Sequence, residues 1–175
     1  MRIDIKKTKV YKFSELPEDA KEKAMEKLYD ININYDWYEF TYEDAKQIGL
    51  IINEFDIDRG SYCRGKFAES AESTADLIIA NHGIDCETYK TAESYLKERD
   101  EIVETAKRDE NGEFEDENEL DDKLDELDAE FKKSIFEDYL IILRKEYEYQ
   151  SSEEAIKETI EANDYEFTIE GNIYR

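Results

Sequence analysis

The spacing of apolar residues changes several times along the chain, and each change marks an element. Ile3, Ile5, Val10, Tyr11 and Phe13 stand among Lys6, Lys7, Lys9 and Lys12 and predict a strand with the lysines on solvated positions. Pro17, Glu18 and Asp19 read as the first turn of a helix, since proline's fixed φ and acidic side chains both suit that end. Ala20, Ala24, Leu28 and Ile31 follow at helical spacing. Asp36 is placed to cap a second helix that Gly49 ends, with Trp37, Phe40, Ala45 and Ile48 towards the core and Tyr35, Tyr38 and Tyr42 as a second stripe. Such a stripe belongs to the core or its rim, or, if exposed, to a partner-binding surface.

Leu50 to Asp58 and Ser61 to Phe67 flank Arg59-Gly60 and predict a β-hairpin. Glu69 to His82 predicts a helix with Ala71, Ala75, Leu77, Ile78 and Ile79 inward, closed by Gly83. Asp85 would cap the next helix, Cys86 to about Arg108, which carries Tyr89, Ala92, Leu96, Val103 and Ala106 on one face. Asp109 to Glu113 breaks the pattern as an exposed loop. From about Glu117 a long helix begins, with Leu120, Leu124, Leu127 and Phe131 forming a seam. Ile135, Phe136, Tyr139, Leu140, Ile142 and Leu143 continue its apolar side. The seam predicts antiparallel packing on the preceding helix, a helical hairpin over about 86–149. Ser151, with Glu154 three residues on, reads as the capping box of a last helix bearing Ala155, Ile156, Thr159 and Ile160 inward. Tyr165 to Thr168 and Asn172 to Tyr174 flank Ile169-Glu170-Gly171 as a terminal hairpin. The expectation is one α+β domain over 1–175: a small antiparallel sheet covered by helices, with an acidic helical hairpin projecting.

Charge sharpens this picture. The chain carries 48 acids and 24 lysines and arginines, a net of −24. Residues 1–66 hold fourteen acids and twelve bases; residues 67–175 hold thirty-four acids and twelve bases. Within 109–130 there are thirteen acids and one base, Lys123. Acidity confined to one region suits a surface with a partner better than uniform solubilisation. The same charge repels phosphates and argues against direct contact with nucleic acid or an anionic membrane. A basic surface is the complementary partner, and many basic surfaces exist to hold nucleic acid. Acids at more than half the positions of a helix rising about 1.5 Å per residue approach the linear charge density of duplex DNA, about one charge per 1.7 Å. The candidate partner-binding residues are therefore Glu113, Glu115, Asp116, Glu117, Glu119, Asp121, Asp122, Asp125, Glu126, Asp128 and Glu130.

Catalytic and metal signatures are weak. Setting Gly112 at the sixth position of a calcium loop puts Lys107 at the first and Asn118 at the twelfth, where carboxylates are required. No metal site or cofactor is expected. His82, the single histidine, falls in the last turn of its helix, where partial positive charge is favoured. Cys63 and Cys86 have neither metal spacing nor a disulfide framework, which fits a reducing cytoplasm. The alternative to partner binding is a small-ligand or enzymatic site on the polar turn, using Asp56, Asp58, Arg59, Tyr62 and Arg64 with Lys66 nearby. An acidic adaptor, oligomeric through its tyrosine stripe, is a third reading. The expectation is of a binding protein and not an enzyme.

Tyr11-Lys12-Phe13-Ser14-Glu15-Leu16, Ala20-Lys21-Glu22-Lys23-Ala24, Trp37 to Ala45 and Phe55-Asp56-Ile57-Asp58-Arg59-Gly60 carry a resemblance. In these segments the chain resembles a family of small acidic proteins encoded by phages and prophages. The resemblance covers most of 9–66 and, more weakly, Ser151 to Phe167. It brings no functional residue with it, but a phage origin implies an anti-defence role. In charge alone, the chain is similar to phage inhibitors of CRISPR effectors and restriction enzymes that act as DNA mimics. The resemblance thus implies a host nucleic-acid-binding protein with a basic groove as partner.

Overall fold

The protein is described by a computed structural model covering residues 7–174. Among these residues are six α-helices and two two-stranded antiparallel sheets, an α+β arrangement. They divide into two compact units.

One unit joins the chain up to Trp37 with the chain from Lys145 on. Strand β1 (Tyr11–Lys12) pairs with the last strand, Glu166–Phe167, setting Tyr11 opposite Phe167 and Lys12 opposite Glu166. The expected strand stops before Phe13. Glu15 accepts a 2.8 Å hydrogen bond from the Lys12 backbone N–H, and Phe13–Glu15 closes into a 3-10 turn that buries Phe13. Ile3 and Ile5 lie outside the described residues. Helix α1 (Glu18–Lys27) starts behind Pro17 and buries Ala20 and Ala24, with Leu28 just past its end. These small residues leave room for Ile156 and Ile160, and the Phe13 and Phe167 rings meet edge to face at 6.0 Å. The cap of the last helix (Glu153–Ala162) is Ser152 rather than Ser151. Ser152 Oγ accepts from Ala155 N–H, whereas Ser151 Oγ donates back to the Tyr147 carbonyl at 2.7 Å. Tyr147 also packs against Trp37 with ring centroids 5.4 Å apart. The terminal hairpin forms, with Thr168 N–H bonded to Asn172 and Tyr174 N–H to Glu166. Its turn needs Gly171: φ is +77°, and a Cβ there would lie 2.2 Å from the Ala20 carbonyl oxygen.

The second unit runs from Tyr38 to Arg144. Helix α2 (Glu39–Gln47) begins two residues later than Asp36 predicts, and Tyr38 stands at its N-cap. That start turns Thr41, Ala45 and Ile48 inward and Phe40 outward, so Phe40, expected in the core, is 82% exposed. Tyr38 and Tyr42 lean on Phe55 at 5.3 and 6.1 Å, half-buried at the core rim. Strands β2 (Leu50–Asp56) and β3 (Tyr62–Phe67) form the expected hairpin, with a register shift between Ile52 and Glu54. Helix α3 (Ala71–Asn81) is capped by Ser70, whose hydroxyl accepts from Ser73 N–H. It buries Ala71, Ala75 and Ile78 as expected, while Leu77 stays partly exposed.

Helix α4 (Glu87–Thr105) follows Cys86 at the N-cap; Asp85 makes no cap. Ala92 is buried as expected, but together with Thr88 and Tyr95, while Tyr89, Leu96, Val103 and Ala106 are only half-buried. Polar partners explain the shift. Thr88 Oγ1 lies 2.7 Å from His82 Nδ1, and Tyr95 OH donates to Asp128 Oδ1 at 2.6 Å, so both polar tips are satisfied inside. The long helix α5 (Glu117–Gln150) contributes its stretch up to Arg144 to this unit. Leu120, Leu127, Phe131, Ile135, Tyr139 and Leu143 form one buried stripe at spacings of seven and then four. Each such side chain contributes about 1.5–3 kcal/mol by leaving water. The pairing of α4 with α5 is antiparallel: Thr91 meets Asp138, while Tyr95, further along α4, meets Asp128 and stacks on Phe131 at 4.3 Å.

Candidate partner-binding surface

The acidic segment begins in a tied loop. Arg108 and Phe114 pair as an antiparallel bridge, and the Arg108 guanidinium lies 4.0 Å over the Phe114 ring. The Asp109 carboxylate accepts from the backbone N–H of Asn111 at 2.8 Å and of Glu113 at 3.0 Å. Those bonds hold its pKa below the usual carboxylate value. Asp116 starts α5 by accepting from the Glu119 N–H at 3.0 Å, a cap that favours negative charge at the helix's positive end.

From there the seam and the acids divide the helix between them. Leu120 and Leu127 are buried and Leu124 is half-buried. With 3.6 residues per turn, these fall on one side, and the acids cover roughly two-thirds of the circumference. Of the eleven acidic residues named above, ten are exposed; Asp128 is half-buried beneath its bond to Tyr95. Asp116 is occupied as the cap, and Glu119 pairs with Lys123 at 2.7 Å. Glu113, Glu115, Glu117, Asp121, Asp122, Asp125, Glu126 and Glu130 have neither ion pair nor side-chain hydrogen bond among the described residues.

The polar turn is laid out differently from a ligand site centred on its aspartates. Asp56 Oδ1 accepts from Asp58 N–H at 2.7 Å, a local turn bond. Asp58 and Arg59 are exposed, and Gly60 has φ +80°. Arg64 sits 4.4 Å over the Tyr62 ring and 3.7 Å from Glu54 on the neighbouring strand. A groove of about 760 Å³ does lie beside this hairpin. Tyr62 and Arg64 line it; Asp56, Asp58 and Arg59 do not. Its other wall is α5, with Lys132, Lys133, Phe136, Leu140 and Arg144. Sequence reasoning missed the α5 wall, although Ala129, Lys132, Phe136, Leu140 and Arg144 recur at helical spacing and could have flagged it.

His82 ends α3 and reaches towards two other helices. Its Nδ1 meets Thr88, and its Nε2 stands 3.5 Å from Asp44 Oδ1 without a hydrogen bond. Asp44 in turn accepts from Tyr139 OH at 2.6 Å. Thr88 and Tyr139 are buried, so this network braces the core, with Asp44 at its half-exposed end. Burial pushes the Cys63 thiol up to about 11. No group of three or more His, Cys, Asp or Glu residues is placed to hold a metal ion among the described residues. Nor, among them, is any helix long and apolar enough to cross a membrane. The chain matches no protein-family model, no curated protein and no solved structure.

Proposed function

We propose that the protein is a phage-type anti-defence inhibitor. It acts in the host cytoplasm and occupies the nucleic-acid groove of a CRISPR effector or restriction nuclease by imitating DNA. The observation that carries this reading is the run of eight exposed, unpaired carboxylates on the loop and first half of α5. Charge arithmetic supports it. Glu117 to Glu130 spans about 20 Å of helix, a length over which one strand of duplex DNA carries about six phosphates. The ridge carries eight acids and one lysine over the same length. It therefore matches one phosphate strand in density, and a groove built for such a strand can exchange it for this helix with the same release of counterions.

Association would be fast and salt-dependent, because long-range attraction steers the encounter. The experiment is capture from bacterial lysate, elution by a salt gradient and identification by mass spectrometry. A nuclease or CRISPR-type effector that elutes at moderate salt and is displaced by added duplex DNA supports mimicry. Recovery of basic proteins at large, with no DNA-displaceable nuclease among them, refutes it.

A further inference from the structure

The groove beside the hairpin has a chemistry opposite to the ridge. Four cations border it, Arg64, Lys132, Lys133 and Arg144, against one acid, Glu137, in a chain of net charge −24. Lys132 has no ion-pair partner among the described residues, and the Lys133–Glu137 pair is loose at 3.9 Å. Phe136, Leu140 and Ile141 give it an apolar floor, and Ile141 is 45% exposed there.

Its two walls run side by side. Arg144 bonds to Ser61 at the start of β3, and Phe131 stacks on Phe67 at its end. Thirteen helical steps and six strand steps each cover about 20 Å, so helix and strand are antiparallel and matched in length. Five consecutive residues, Ser61 to Gly65, line the groove. A strand's face would contribute every second residue; an unbroken run is the signature of its edge. Among the described residues β3 pairs with β2 alone, so that edge carries backbone groups with no strand partner.

From these observations we infer that the groove is a docking site for an extended acidic peptide of a partner protein, which adds as a third strand to the free edge of β3. The cations are spread over about 18 Å of α5, from Lys132 to Arg144. A compact anion would meet one or two of them. A strand of about six residues, with apolar side chains on Phe136, Leu140 and Ile141 and carboxylates along the bordering cations, meets all four. The edge supplies main-chain hydrogen bonds and the alternating side chains supply selectivity. This site is separate from the acidic ridge, and its fate does not depend on that of the mimicry reading.

The test uses a synthetic acetylated and amidated octapeptide of alternating Glu and Val, titrated into the full chain and followed by amide NMR. The expected result is saturable binding, with slowed hydrogen exchange at the backbone amides of Ser61 to Gly65. Affinity should fall at least tenfold in the double variant Lys132→Glu with Lys133→Glu, both positions being exposed. It should fall comparably for wild-type protein when alternate peptide nitrogens are methylated, which keeps the charge and removes the donors. Equal binding of the methylated peptide would overturn strand addition. Tighter binding of a thymidine octanucleotide, or the absence of any binding at millimolar peptide, would overturn the peptide assignment. A concentration-dependent dimer abolished by the same double variant would overturn a foreign partner in favour of a second copy of the chain.

Discussion

At the scale of single residues, burial decides chemistry. Cys63 is buried and its thiol is raised to about 11, whereas Cys86 is exposed. One thiol should therefore react with a disulfide reagent in the native protein at pH 8 and the second only on unfolding, a difference that stopped-flow thiol titration reads directly. Asp138 shows the pH linkage. Burial raises its pKa, opposed by the hydrogen bond from Thr91. A carboxyl whose folded pKa lies above its unfolded one favours the folded state most when protonated, and that contribution is lost as pH rises through the folded pKa. Asp138→Asn should raise the melting temperature at pH 7 by about 2 °C, with the gain shrinking towards pH 4. Tyr139 is fully buried and donates to Asp44, so Tyr139→Phe forfeits a hydrogen bond to a carboxylate. Denaturant titration should show a loss of about 1–3 kcal/mol.

At the scale of elements, the sequence reveals most where one physical cue acts alone. Helix α5 begins at Glu117, as the switch to a leucine seam predicts, and the hairpin forms around Arg59-Gly60. Where polar side chains can enter the core, spacing misleads. The α4 stripe is displaced because Thr88 and Tyr95 find His82 and Asp128, partners 6 and 33 residues away. Asp36 and Asp85 fail as caps because nothing in a local sequence says which of several neighbouring residues the chain will stop on. Ser151 gives way to Ser152 for the same reason. The acidic ridge was legible residue by residue. The basic groove was not, because it exists only once β3 lies along α5. Gly65 marks that contact: a Cβ there would stand 1.9 Å from the Ile51 carbonyl oxygen and 2.8 Å from Phe136. Gly65→Ala should therefore disrupt the hairpin and lower stability by more than about 3 kcal/mol, read as a shift in the urea midpoint.

For the whole molecule, the proposed function rests on separated charge. The acidic ridge and the cationic groove lie on different stretches of α5, Glu117 to Glu130 and Lys132 to Arg144. Along α5 a run of exposed carboxylates gives way to a run of groove cations, a division that a chain made acidic for solubility alone would not need. Asp128 belongs to the fold through Tyr95, so a charge test of the ridge should leave it in place. The most direct measurement compares wild type with the variant Asp121→Asn, Asp122→Asn, Asp125→Asn, Glu126→Gln in capture of a DNA-displaceable nuclease from lysate. Mimicry predicts that neutralising four exposed carboxylates lowers capture at least tenfold while circular dichroism stays unchanged. Capture that is equal in both proteins, with the same salt dependence, would contradict it.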